Sequence, residues 1–123
     1  KGNIVRTGKD IAIFAFGNML EIALEASEKI NATVVDMRFV KPLDKALIIE
    51  IANHSKLLIS IEDNTANGGA GSAINELLQD NNNYTPLKIL GIPDKVTEHG
   101  SQSELYELYG LSAENIISVS ENK

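Results

Sequence analysis

Apolar residues fall along this chain in short runs of two alternating kinds. Ile11 to Phe16 is a compact apolar stretch ended by Gly17, the pattern of a strand buried on both faces of a parallel sheet. Met19, Ile22, Ala23, Ala26 and Ile30 then recur at helical spacing, and Asn18 with Glu21 offers that helix a capping-box start. ATVVDMRFV reads as the next strand and must stop near Lys41, because Pro42 holds its predecessor extended and cannot donate to a ladder. Asp44 is placed to cap a second helix, with Leu43 and Ile48 as a hydrophobic staple and Leu47, Ile48 and Ile51 toward the core.

KLLISIE is a further strand, and beyond a glycine-rich turn Ala70, Ala73, Ile74, Leu77 and Leu78 mark a helix that stops by DNNNYTP. LKILGIP is another strand. Ser101 with Glu104 forms a capping box for SQSELYELYG, closed by Gly110, and Ser112 opens a short helix through Val119, leaving residues 121–123 as a frayed tail. Upstream, NIVRTG reads as an edge strand turning back antiparallel to Ile11–Phe16. The alternation predicts an α/β fold of three layers, α/β/α, around a mostly parallel five-stranded sheet with one antiparallel edge strand and right-handed crossovers. With 123 residues and no linker or low-complexity tract, residues 1–123 form a single domain. The chain starts at Lys1 rather than Met, so the expectation is a piece of something larger.

Composition narrows the function classes. A net charge of −6 sets an average field that repels phosphate-rich partners, and aromatic residues at 5% leave little for base stacking, so no nucleic acid partner is expected. The absence of cysteine excludes disulfides, thiolate nucleophiles and cysteine-ligated zinc, and fits a reducing, cytoplasmic setting. Apolar runs such as IAIFAF are far shorter than a bilayer span, so no membrane partner is expected.

In open α/β sheets, ligands bind beyond the carboxyl ends of the strands. Those ends carry Gly17-Asn18, Asp36 with Arg38, Glu62-Asp63 with Gly68, Gly69 and Gly71, and Pro93-Asp94 leading to His99. The glycines before a helix could present backbone N–H groups to an anion. Their spacing is not G-x-G-x-x-G, however, no Lys-Ser/Thr pair follows, and Glu62 and Asp63 would repel a phosphate, so a tight strand-to-helix corner is the simpler reading. Asp36 and Arg38, two apart on a strand, point the same way and could orient a polar ligand or form an ion pair or loop anchor. His99, beside Glu98, could act as a general base, but no serine or cysteine nucleophile motif accompanies it. The histidines lie far apart, without metal-ligand spacing. A phosphoacceptor receiver is also excluded, since Gly17-Asn18 stands where acidic residues would follow the first strand.

Taken together, VVDMRFVKPLD (34–44), IEDNTANGGAGSAINELL (61–78) and LGIPDKVTEHGSQSELYELYGLSAENI (90–116) resemble, in order and spacing, the C-terminal domain of 1-deoxy-D-xylulose-5-phosphate synthases. GKDIAIFAFGNML (8–20) resembles the start of the same domain. The RFVKPLD strand end and the acidic-GG-x-G turn are shared with other transketolase-like C-terminal domains, including the β subunits of 2-oxo acid dehydrogenases, the alternative assignment. GIPD with EHGSQ and LYGL is what points to the synthase.

The resemblance implies a parent enzyme dependent on thiamine diphosphate and Mg²⁺. That enzyme decarboxylates pyruvate and joins the remaining two carbons to glyceraldehyde 3-phosphate, giving 1-deoxy-D-xylulose 5-phosphate and CO₂ for isoprenoid, thiamine and pyridoxal precursors. It implies a cytoplasmic homodimer, or a plastid enzyme in a plant-like source. The family's diphosphate and metal site uses a Gly-Asp-Gly start, and no Gly-Asp-Gly occurs here. The expectation is therefore no catalytic, cofactor or metal residue in this chain. Its role would be to support the other domains and the partner subunit, with Asp36, Arg38, Glu62, Gly68, Gly69, Gly71 and His99 as strand-end or interface candidates.

Overall fold

The computed structural model describes residues 2–38, 42–63, 69–92 and 100–121. In chain order the elements are β1 (Asn3–Arg6), β2 (Asp10–Phe16), α1 (Leu20–Ile30), β3 (Thr33–Arg38), α2 (Lys45–Asn53), β4 (Ser55–Ile61), α3 (Ala70–Asp80), β5 (Leu87–Leu90), α4 (Gln102–Leu108) and α5 (Ala113–Glu121). The sheet order is β1-β3-β2-β4-β5, with β2 parallel to both β3 and β4, and β5 parallel to β4.

The edge strand β1 is antiparallel as expected, but it pairs with β3 and not with β2. The reason is the solid apolar run of β2, whose Ala12 to Ala15 are fully buried: such a strand belongs at the sheet centre, and its two edges are already taken by parallel neighbours. β1 finds its open ladder one strand further out, where Arg6 donates to the Ala32 carbonyl at 2.7 Å.

Strand alternation sorts the core into two faces. Ile13, Ala15, Val34, Leu57, Ile59 and Ile61 pack with Met19, Ala23 and Ala26 at the start of and along α1, and with Ile116 of α5. Ala12, Phe14, Val35, Met37 and Leu58 pack with Ile48 and Ala52 of α2 and with Ile74 and Leu78 of α3. The two faces give the three layers. The first crossover, through α1, carries the chain from β2 to β3; the second, through α2 on the opposite face, returns it past β2 to β4. Between β2 and β4 the winding direction therefore reverses, and that is the switch point where open sheets leave a crevice at their carboxyl ends.

Local signals held at most helix starts. Asp44 Oδ1 accepts from Leu47 N at 3.3 Å, and Leu43 packs on the same core face as Ile48. At α4, Ser101 Oγ accepts from Glu104 N at 3.2 Å while Ser101 N donates to Glu104 Oε1 at 2.8 Å; these bonds to Ser101 hold the Glu104 carboxyl below its ordinary range. Ser112 Oγ accepts from Asn115 N at the start of α5. The box expected from Asn18 and Glu21 does not form: the chain leaves β2 through Gly17 at φ +63 into a 3-10 turn, Met19 becomes the N-cap of α1, and the Asn18 side chain is used elsewhere.

Candidate functional site

The carboxyl ends of β2 and β4 flank the switch point, and alternation along β4 decides what each acidic residue there can reach. Ser60 and Glu62 continue the Leu58 face, toward α3; Ile61 and Asp63 continue the opposite face, toward α1 and α4. Neighbours in sequence thus serve different layers.

Glu62 is buried, with 6% of its surface exposed. Its Oε1 accepts from Ala70 N at 2.8 Å and Gly71 N at 3.3 Å, so a carboxylate fills the positive end of α3. An external phosphate would have to displace that charge. Gly69 is the N-cap of α3 at φ 81 and ψ 147, a conformation close to glycine-only, and a Cβ there would sit 3.0 Å from Glu62 Oε1. At Gly71 a Cβ would lie 2.6 Å from Ile89 Cγ2 and 2.7 Å from Ser60 Oγ. These glycines let α3 approach β4 and β5 and let the Glu62 carboxylate reach the helix end. Ser60 Oγ is buried beneath Gly71 with no hydrogen-bond partner among the described residues.

On the other face, Asp63 Oδ2 accepts from Tyr106 OH at 2.7 Å and from Asn18 Nδ2 at 3.4 Å. Asn18 follows β2 and Asp63 follows β4, so this trio spans the switch-point crevice with the chain's own side chains. Burial first, then the hydrogen bond to Asp63 and its charge, push the Tyr106 phenol up to about 12.

Asp36 and Arg38 meet each other at the end of β3. Asp36 Oδ1 accepts from Arg38 N at 3.1 Å, and Arg38 Nε stands 3.9 Å from Asp36 Oδ2. Arg38 sits at φ 59, and the register with β2 shifts there, so the strand ends in a local turn whose guanidinium is largely solvated, with 65% side-chain exposure. Gly68 and His99 lie outside the described residues. The structure thus joins Glu62, Gly69 and Gly71 into one corner and keeps the Asp36–Arg38 pair separate. Among the described residues no group of three or more histidine, cysteine or acidic side chains could hold a metal ion. No described helix is long and apolar enough to cross a membrane.

Tyr106 and Ser60 were not legible as site residues. Tyr106 meets Asp63 across 43 positions, a separation that leaves no local pattern. For Ser60 the only signal is a polar residue in an apolar strand, which by itself does not say what stands opposite.

Compared with known proteins, residues 1–116 match the family "Transketolase, C-terminal domain". The 1-deoxy-D-xylulose-5-phosphate synthase of Aeromonas hydrophila is 49% identical over 116 residues, covering 94% of this chain and 19% of that protein. The synthase of Nitrosococcus oceani is 50% identical over 117 residues, covering 95% of this chain and 18% of that protein. The chain therefore spans about a fifth of the length of these curated relatives. Among solved structures, a split-gene transketolase, an inactive β4 tetramer, superposes with a TM-score of 0.87 at 33% identity, covering 99% of this chain and 41% of that one. A 2-oxoglutarate:ferredoxin oxidoreductase from Magnetococcus marinus aligns with a TM-score of 0.61 at 13% identity, a likeness of fold alone. The family match over residues 1–116 and the superposition on the split-gene transketolase lead to one conclusion: this chain belongs to the transketolase C-terminal domain family.

Proposed function

We propose that this chain is the C-terminal domain of a 1-deoxy-D-xylulose-5-phosphate synthase, a thiamine diphosphate-dependent transferase of the transketolase type, and that the domain supports the enzyme without taking part in its chemistry. The observation that carries the reading is the identity of 49% to the Aeromonas hydrophila synthase across 94% of this chain. The alternative, a 2-oxo acid dehydrogenase β subunit, is less supported, because the similar relatives reported above bear the synthase name.

The whole protein would condense pyruvate with glyceraldehyde 3-phosphate, feeding isoprenoid, thiamine and pyridoxal precursors. It would use Mg²⁺ with the cofactor and work as a cytoplasmic homodimer. The described residues of this chain do not fit thiamine diphosphate. The glycine corner, the place for a diphosphate if one bound here, is already filled by the Glu62 carboxylate, and Asp63 is engaged by Tyr106 and Asn18. A diphosphate brought to the glycine corner would meet the buried Glu62 carboxylate already bonded to the first N–H groups of α3. We therefore place the cofactor, the metal and both substrates against other domains of the protein. The role left for this chain is a rigid sheet whose carboxyl end is pre-filled by its own side chains.

The test is the coding sequence upstream of Lys1. The reading expects a Gly-Asp-Gly motif with a downstream Asn and a second α/β domain in the same open reading frame. A frame that encodes this chain without them, or that encodes a separate β subunit, overturns it.

A further inference from the structure

The switch-point crevice has a component that the supporting role does not require. α4 is a helix of seven residues with none buried, and it meets the core through the partly buried Tyr106. Its neighbours differ sharply: α5 buries Ala113, Ile116 and Ser120, and Leu111 between the two helices is 1% exposed. The joint between α4 and α5 is well defined. Gly110 stands at φ +72, Leu111 N donates to Tyr106 O at 2.7 Å and Gly110 N to Glu107 O at 3.2 Å, and Asn115 Nδ2 donates to Gly110 O at 2.9 Å. This is a Schellman end in which the residue after the glycine is anchored in the core. On the α4 side of that anchor, Tyr106 OH donates to Asp63 Oδ2 and ties the helix to the end of β4.

We propose that α4 is a strap over the carboxyl end of β4, latched across the switch-point crevice by Tyr106 on Asp63 and able to open as a unit while α5 and the sheet stay folded. Segments with few buried contacts open with much smaller free energies than the core, and helices of this length are not stable without tertiary support. The latch atom is the same Asp63 oxygen that Asn18 reaches from β2, so opening α4 also frees the acceptor that bridges the two strands. Opening of the strap thereby leaves Asp63 held at the switch point by Asn18 without Tyr106.

The test is native-state amide hydrogen exchange, resolved by residue, on the full chain and on Tyr106→Phe. The proposal expects α4 amides to exchange well ahead of those in β2 and β4. In Tyr106→Phe, loss of a bond to a charged acceptor should speed α4 exchange about 10-fold, with β2 and β4 changed by less than about 2-fold. Asp63→Asn keeps the phenol in place while weakening the same bond, and should shift α4 in the same direction. Exchange of α4 in step with β2 and β4, no acceleration in either variant, or equal acceleration everywhere would each overturn the proposal.

Discussion

Replacing Glu62 by alanine tests the central structural claim, that the glycine corner is filled from within. In the folded chain the Glu62 carboxylate accepts from two backbone N–H groups of α3, at 2.8 and 3.3 Å, in a site where the residue is only 6% exposed. Alanine leaves those donors at a buried helix end without that acceptor and removes a negative charge from the positive pole of α3. A hydrogen bond to a charged group contributes about 1.5–3 kcal/mol, and the helix-end interaction adds up to about 2 kcal/mol in partly buried geometry. Against these stands the cost of burying the carboxylate itself, several kcal/mol before compensation. A net loss of roughly 2–3 kcal/mol follows for Glu62→Ala. Glu62→Gln, which keeps an oxygen acceptor of the same reach, should lose less than about 1.5 kcal/mol. For a domain of this size each kcal/mol moves Tm by roughly 3–6 °C, so the alanine variant should melt at least about 6 °C below the parent. Urea titration followed by far-ultraviolet circular dichroism measures both differences. An alanine variant as stable as the parent, or a glutamine variant as damaged as the alanine one, would refute the claim that this carboxylate caps α3.

The same corner makes further predictions. Gly69→Val forces a β-branched side chain to φ 81 and should cost roughly 1–3 kcal/mol, read as a lowered urea midpoint; an unchanged midpoint would show that the turn does not need glycine. Gly71→Ala should cost about 1–3 kcal/mol through the clash with Ile89, and Gly71→Ala with Ile89→Ala should recover part of it in a double-mutant cycle; purely additive losses would count against the contact. Ser60→Ala removes a buried hydroxyl with no partner among the described residues, so stability should be unchanged or raised by up to about 1 kcal/mol, and a loss above that would reveal a hidden partner. Tyr106, with its phenol raised from 10.0 to about 12 in the fold, favours the neutral form there: its contribution is fully present below pH 10 and is lost as pH rises toward 12. Ultraviolet phenolate titration should show one component near 12 that disappears in Tyr106→Phe.

What was legible in the sequence was whatever is decided within one turn or one strand. The Asp44 cap and the Ser101–Glu104 box are fixed by residues three apart, and both formed. The period of the apolar runs gave the order of strands and helices, and the buried run of β2 marked a strand at home inside a sheet. What was not legible depended on distant competition. Asn18 had a local cap to make and a long-range partner in Asp63, and the structure uses the second. β1 had the right direction but its partner was decided by which edges of β2 were already occupied. Glu62 and Asp63 looked like a pair in the sequence, yet the pleat sends one to α3 and the other to Tyr106. Resemblance supplied the family, and the Glu62 contacts eight and nine positions along the chain explain why the glycine corner is closed.

Under the proposed function this domain lends the whole protein shape and not chemistry. The most direct measurement is turnover by the isolated, folded chain supplied with thiamine diphosphate, Mg²⁺, pyruvate and glyceraldehyde 3-phosphate, followed as CO₂ release and as 1-deoxy-D-xylulose 5-phosphate formed. The predicted result is no product above the protein-free control while circular dichroism confirms the fold; product formed in proportion to the amount of this chain would contradict it.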